Sequence, residues 1–402
     1  MHKLKRVLTA PARFIYKFTI FKMLLPLVYL FSKKDFDRNR VLFIEVRVPS
    51  LSNNFRLLWD RLEGDGRENI MCSLHLGSCS AGAYIKNCVN MARLAAGARC
   101  IFISEGSTAF SCLPIRKETT VIQTWHGCGA FKRVGMSALG NGGNVTGGRL
   151  ERKLFPMCRH MDFITISSPG VAWAYEEAFD LKKGDGQKIC PVGTSRTDVF
   201  FMPERIAAAK ERIVSKLPDI GEKKIILYAP TFRGETTNAV MPKGLRLEKL
   251  CPAIEKDYVL LIKHHPVVKE KQEIPEKFRG TVFDMTDEPI DDLLMSADIC
   301  VSDYSSLVFD YSLLERPMIF FTYDLEDYSG WRGLYYPLED FCPGKIVRTT
   351  EELAAALSSG DIYDTEKMSA FHELHMASCD GHATDRIIAL MDTVPDKNKK
   401  GR

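Results

Sequence analysis

The chain has 402 residues, 45% hydrophobic and 26% charged, enough for two globular domains of ordinary size. Its 28 Gly and 19 Pro are near average usage, which excludes collagen-like, low-complexity and disordered classes. A formal charge of +4 speaks against a dedicated nucleic-acid binder, so no nucleic-acid partner is expected.

Taken in chain order, the charge is unevenly spread. Residues 1–40 carry ten Lys and Arg against Asp35 and Asp37, a net of +8, while the remainder holds 45 basic against 49 acidic residues. Phe18–Phe31 is an apolar run of 14 residues interrupted by Lys22 and containing Pro26. A spanning helix needs about 20 apolar residues. Lys33-Lys34 follows where a cleaved signal would show small residues. Residues 1–38 therefore read as a basic amphipathic segment on an anionic membrane surface. Phe14, Ile15, Phe18, Phe21, Leu24 and Leu25 would enter the interface. The alternatives are a helix that only packs on the body and a cleaved signal.

Beyond it, apolar runs of strand length alternate with helical stretches. The first series is Val41–Val46, Ile70–Leu74, Cys100–Ile103, Thr120–Thr124, Phe163–Ser167 and Lys188–Val192, with helices over Ala81–Ala96 and Gly170–Ala178. A charged helix over Pro203–Leu217 leads to a second series: Lys224–Tyr228, Tyr258–Lys263, Thr281–Asp284, Asp298–Val301 and Met318–Thr322. Such alternation predicts parallel sheets with crossover helices. The expected fold is α/β, two doubly wound Rossmann-like domains facing a cleft in the GT-B manner. The expected units are 39–202 on the acceptor side and 203–392 on the donor side, with a frayed tail over 393–402. Gly140–Gly148, five glycines in nine residues, reads as a mobile loop. The twelve cysteines are dispersed without a C-x-x-C pair, which suggests a reducing compartment and no cysteine zinc site.

Ligands of open parallel sheets bind beyond the carboxyl ends of the strands, so polar strand ends carry the functional information. After Thr120–Thr124 comes Trp125-His126-Gly127-Cys128-Gly129-Ala130-Phe131-Lys132: a base candidate, glycines that admit close approach, and a cation. After Lys224–Tyr228 come Thr231 and Arg233, a fork suited to phosphate or a salt bridge across the cleft. His264-His265-Pro266 follows the next strand, one imidazole facing the cleft and the other packing. Ser302-Asp303-Tyr304-Ser305-Ser306 lies between a strand and a helix over Leu307–Leu314, an anion site or a cap made by Ser305. Gly330-Trp331-Arg332-Gly333 and the trio His372, His375 and His382 are weaker signals, and surface His is commoner than a metal helix. Phosphate-loop, dinucleotide, H-E-x-x-H and G-x-S-x-G motifs are absent from the sequence.

In this order, the strand ends resemble the CDP-glycerol glycerophosphotransferase family, the teichoic acid primases and polymerases. The matching pieces are Trp125-His126-Gly127, Gly193 with Arg196 and Asp198, Tyr228-x-Pro230-Thr231-x-Arg233, His265-Pro266, Ser302 to Ser306, Arg332-Gly333, Pro343-Gly344, and Asp380-Gly381-x-Ala383-x-x-Arg386. The likeness covers about residues 120–390. It implies a transferase that moves glycerol phosphate, or ribitol phosphate in some members, from CDP-glycerol or CDP-ribitol to a lipid-linked saccharide or growing polymer, releasing CMP. It places the enzyme peripherally on the cytoplasmic face of a bacterial cell membrane. By position, His126 is the expected general base, with Gly127 and Lys132 on the acceptor side. His265, also a catalytic candidate, joins Thr231, Arg233, Ser302, Asp303, Ser305, Ser306 and Arg332 around the donor. No cofactor is required on this reading and no protein-bound metal is expected, although Mg2+ could arrive with the diphosphate. A sugar transferase of the same fold and a catalytically silent envelope-assembly protein are the alternatives. The sequence departs from the family pattern at Cys128-Gly129-Ala130-Phe131-Lys132, where Thr-Pro-Leu-Lys often stands, and at Ser195, where a Pro is frequent.

Overall fold

A computed structural model describes residues 10–138, 149–181, 188–234 and 238–393, without the side chains of 10, 78, 149 and 329–332. The Gly140–Gly148 loop and the tail past 393 lie outside the described residues. Two six-stranded parallel sheets form the body. The first contains β1 (Asp37–Glu45), β2 (Glu68–Ser73), β3 (Ala98–Ile103), β4 (Thr120–Gln123), β5 (Phe163–Thr165) and β6 (Lys188–Cys190), in the order β2-β1-β3-β4-β5-β6. The second contains β7 (Lys224–Tyr228), β8 (Tyr258–Ile262), β9 (Val282–Asp284), β10 (Ile299–Ser302), β11 (Met318–Phe321) and β12 (Lys345–Val347), in the order β12-β11-β10-β7-β8-β9. Strand β12 was not anticipated from sequence, because three residues at a sheet edge carry no periodicity.

The continuous apolar strands feed two cores each, as strands buried on both faces must. In the first sheet Leu42, Ile44, Ile101 and Ile103 pack into one cluster, while Val41, Phe43, Cys100 and Phe102 pack into another. In the second, Ile225, Leu227, Val259 and Leu261 face one side and Ile226, Tyr228, Leu260 and Ile262 the other.

Two exchanges tie the chain together differently from the expected division. The last helix, Ala383–Met391, belongs in sequence to the second unit, yet Ile387 and Met391 complete the core against Val41 and Phe43 of the first sheet. Asp198 accepts from the amides of Ala383 and Thr384 at 3.0 and 2.7 Å, and Arg386 donates to Val192 O at 2.9 Å. In the other direction, Cys128 and Phe131 after β4 join the second domain's core, where Phe131 stacks on Phe341 at 4.0 Å. Gly129 is obligatory here, with φ +63° and a Cβ position only 2.1 Å from the Phe309 ring. The segment that departs from the family pattern is thus spent largely on packing between domains.

The N-terminal helix runs through Ala10–Phe18, a π segment Thr19–Leu24, and Leu25–Phe31. Over Pro11–Phe31 it is 21 residues long and apolar enough to cross a membrane by length and composition, longer than the 14-residue run suggested. Spacing alone would place Phe14, Phe18, Phe21 and Leu25 on one α-helical face. Instead, Phe21, Leu25 and Tyr29 pack into the first domain, while Phe14, Ile15, Phe18, Met23, Leu27, Leu30 and Phe31 are exposed. The wider i→i+5 turn of the π segment accounts for this phase change. Phe21 and Leu25 are therefore core residues, not interfacial ones. The Tyr29 hydroxyl accepts from the Arg116 amide at 2.9 Å and secures the docking.

Candidate active site

Each sheet reverses its strand order once, between β1 and β3 in the first and between β7 and β10 in the second. These are the switch points where crevices open beyond the strand ends. At the first, Arg47 follows β1 and Glu105 follows β3, and both reach His126, which follows β4. Arg47 Nη1 lies 2.7 Å from His126 Nε2, and Glu105 Oε1 lies 2.8 Å from Nδ1, in an ion-pair contact that is not a linear hydrogen bond. Arg47 and Glu105 also pair at 3.1 Å. Burial would push the Glu105 carboxyl up, but His126 and Arg47 together hold it below its ordinary value. Trp125 enters this turn with φ +56°, a conformation costing a bulky residue about 1–3 kcal/mol. Its ring is fixed edge-on against Phe179 at 5.2 Å, which offsets that cost and aims the next residue into the crevice. Gly127 is held by the Tyr175 hydroxyl, which donates to its carbonyl at 3.3 Å.

At the second switch point, Asp303 after β10 is fully buried and accepts from Thr231 N at 2.9 Å, Thr231 Oγ1 at 3.0 Å and Tyr304 N at 2.6 Å. Arg233 is surrounded. Its Nε meets Asp324 at 2.5 Å, Nη2 meets Asp324 at 3.0 Å and Asp303 at 2.9 Å, and Nη1 donates to Thr231 O and Oγ1 at 2.7 and 2.9 Å. The rings of Tyr304, Tyr323 and Tyr328 lie 5.2–5.7 Å from it. Burial alone would lower its pKa, but Asp324 and Asp303 raise it. The expected open phosphate fork is instead the centre of an ion-pair hub, because two carboxylates converge on it from β10 and β11. Ser302 likewise turns inward, donating to Ala229 O at 2.7 Å as a tie between strands. The Ser305 hydroxyl accepts from Leu307 N at 3.4 Å, and exposed Ser306 opens the short helix Leu307–Ser312 with no side-chain cap. The side chain of Arg332 lies outside the described residues.

Of the paired imidazoles, His264 is the one that packs, accepting from Gln272 N at 3.2 Å through Nε2. His265 stands half-buried beside Phe232, and its Nδ1 accepts from Val267 N at 3.3 Å. Its neutral form therefore carries the proton on Nε2, as a donor. Burial, then the charges of Arg47, Lys132 and Lys263, lower its pKa. Arg47 thus bears on both imidazoles. Lys132 is delivered by an antiparallel bridge between residues 132 and 334, and it lies 5.8 Å from the Tyr328 ring centre.

Other family motifs are structural. Asp380 pairs with Arg386 at 2.7 Å, and Asp198 caps the last helix. Arg196 bridges Asp291 and Asp310 at 2.7 and 3.2 Å, and Asn53 joins Asp291 from the first domain. His375 is buried among Phe309, Phe341 and Phe371. Among the described residues no group of three or more His, Cys, Asp or Glu is placed to hold a metal ion. All twelve cysteines are free. Arg47, Glu105 and Asp324 were missed from sequence. Each sits just past a predicted strand, so scanning every strand end for charged residues would have found them.

Residues 27–392 match the family described as CDP-Glycerol:Poly(glycerophosphate) glycerophosphotransferase. The chain is 32% identical over 357 residues to a teichoic acid ribitol-phosphate primase of Bacillus spizizenii, covering 87% of this chain and 90% of that protein. It is 32% identical over 359 residues to the teichoic acid ribitol-phosphate polymerase TarL of Staphylococcus aureus, covering 87% of this chain but only 62% of that one. The wall teichoic acid polymerase TagF has the same fold, with a TM-score of 0.73 at 21% identity over 96% of this chain and 97% of that one.

Proposed function

The chain belongs to the CDP-glycerol:poly(glycerophosphate) glycerophosphotransferase family, and from that premise we propose how its residues act. It transfers a polyol phosphate from a CDP-linked donor to a teichoic-acid-type acceptor. On our reading the acceptor hydroxyl gives its proton to Nε2 of His126, and the oxygen attacks the distal phosphorus of the donor. The phosphoanhydride bond breaks and CMP leaves. His265, donating from Nε2, and Lys132 meet the charge that develops on the phosphates, with the hydroxyls of Ser305 and Ser306 nearby. Arg233, Asp303 and Thr231 shape the donor crevice from behind. One observation supports this reading: Arg47 touches His126 and its charge also bears on His265, as a base and a phosphate site in one crevice would require.

Glycerol phosphate is the group named by the family. Ribitol phosphate is the second reading, favoured by four ribitol-phosphate relatives that each align along 87% of the chain. Incubation with CDP-glycerol, CDP-ribitol and UDP-sugars, scored by nucleotide release and product mass, decides between them. UDP release would reveal a sugar transferase, and no release with any donor and a lipid-linked acceptor would leave a silent assembly protein. A Mg2+ ion, on this reading, enters with the diphosphate.

The N-terminal helix is proposed as an in-plane anchor at the cytoplasmic face. Its exposed apolar residues lie on the side away from the domain, and spanning would strip Phe21, Leu25 and Tyr29 from the core they complete. There it would meet a lipid-linked acceptor.

A further inference from the structure

Arg47 and Glu105 hold His126 between them, and the arrangement has a direction. An arginine only donates, so the 2.7 Å contact from Nη1 makes His126 Nε2 the acceptor and leaves the ring proton on Nδ1, 2.8 Å from Glu105. That is the tautomer a base needs, yet the nitrogen that must take the proton is the one Arg47 covers. Arg47 is also the least enclosed of the three: its side chain is 55% exposed, against 28% for His126 and 21% for Glu105. Its charge reaches His265, where Lys132 and Lys263 act as well. A diphosphate seated there offers a guanidinium two charge-assisted partners in place of one imidazole lone pair.

We infer that Arg47 is a donor-triggered latch on the base. In the free enzyme it closes His126 Nε2, and the donor's diphosphate draws it toward His265 and opens that nitrogen to the acceptor hydroxyl. Glu105 is the positioning residue that keeps the ring proton on Nδ1. The inference rests on the transfer reading above. Once the latch is open, the hydroxyl proton passes to Nε2 and the oxygen forms the new bond to the distal phosphorus. The bond to the cytidylyl phosphate breaks, and its electron pair leaves on CMP. The charged groups in contact with the base are Arg47 and Glu105, with buried Glu45 at the end of β1 bearing on Glu105, and with His265, Lys132 and Lys263 toward the donor. The donor must then add before the acceptor.

The test is the reactivity of His126 toward diethyl pyrocarbonate, which acylates an unprotonated imidazole nitrogen, read by peptide mass spectrometry on the full chain. In the wild type, saturating CDP should raise the rate at His126 about tenfold, whereas a merely covered site would be protected. Arg47→Met should react at the fast rate without CDP, and its donor KM should rise roughly tenfold or more through the lost charge-assisted contacts. Glu105→Gln should keep the donor KM and lower kcat, the split expected when only the orientation and tautomer of the base are lost. CDP protection of wild-type His126, or an unchanged donor KM in Arg47→Met, overturns the latch. An unchanged kcat in Glu105→Gln, or a donor KM that rises, overturns the role of Glu105. Failure of the transfer reading looks different: no CMP release from any CDP-polyol by the wild type, whatever CDP does to His126.

Discussion

Arg233→Met removes the cation from a site holding two carboxylates. The Asp303 side chain is 2% exposed and that of Asp324 15%, and they lie 2.9 and 2.5 Å from the guanidinium. Removing one member of a buried pair costs about 3–5 kcal/mol, because the remaining charge stays desolvated. Asp303 keeps the donors of Thr231 and Tyr304, and Asp324 keeps the Tyr304 hydroxyl, so the lower end of that range is expected. At about 2–4 °C per kcal/mol for a domain of this size, the second domain should melt roughly 6–12 °C lower. Calorimetry reads the transition, and hydrogen exchange on β7 and β10 assigns it, since a two-domain chain is not two-state. Adding Asp324→Asn should recover part of the loss, because the orphaned charge is then gone. A variant that melts within about 1 °C of the wild type while donor KM rises tenfold would refute this reasoning, and Arg233 would be a phosphate ligand after all.

The remaining predictions concern the base, acid stability and the membrane. His126→Ala should lower kcat by about 10²–10⁴ while CDP binding by calorimetry persists, and near wild-type turnover would remove it as the base. Burial lowers the His375 imidazole from 6.5 to about 4. Between those values the unfolded chain binds the proton first, so the contribution is intact above pH 6.5 and stability falls as pH drops toward 4. The loss should be about 2 kcal/mol between pH 7 and pH 5. Asp310, raised by burial to about 6, acts with opposite sign in that window, so the readout is the difference between wild type and His375→Phe. Equal pH slopes for the two proteins would contradict it. Finally, Leu27→Asp with Phe31→Asp should cut cosedimentation with anionic vesicles about a hundredfold or more at unchanged melting temperature. Full retention of binding would show that this helix face is not the anchor.

How far the candidate site can be read from sequence depends on the residue. His126 and His265 are recognisable because each lies within three residues of the end of an apolar run and stands beside a residue that punctuates the chain, Gly127 or Pro266. Arg233 and Asp303 are found by the same rule, yet the rule cannot tell a ligand from a tie. Each looks available until its neighbour in space is known, and here the neighbours are each other and Asp324. Arg47 and Glu105 also follow strands, but as single charges they emerge only when every strand end is scanned for charge.

What the sequence by itself determined is local: continuous apolar runs that must be buried strands, helices between them, and a basic apolar N-terminus distinct from a mildly acidic body. Strand order was decided only by the tertiary structure, because parallel pairing joins segments dozens of residues apart and every apolar run offers the same backbone groups to a neighbour. That order placed Arg47 and Glu105 side by side at one reversal and Thr231 and Asp303 at the other. Tertiary packing also decided which face of the N-terminal helix is core. A π turn changes the helical phase, and the domain surface it meets is assembled from strands and helices far away in the chain.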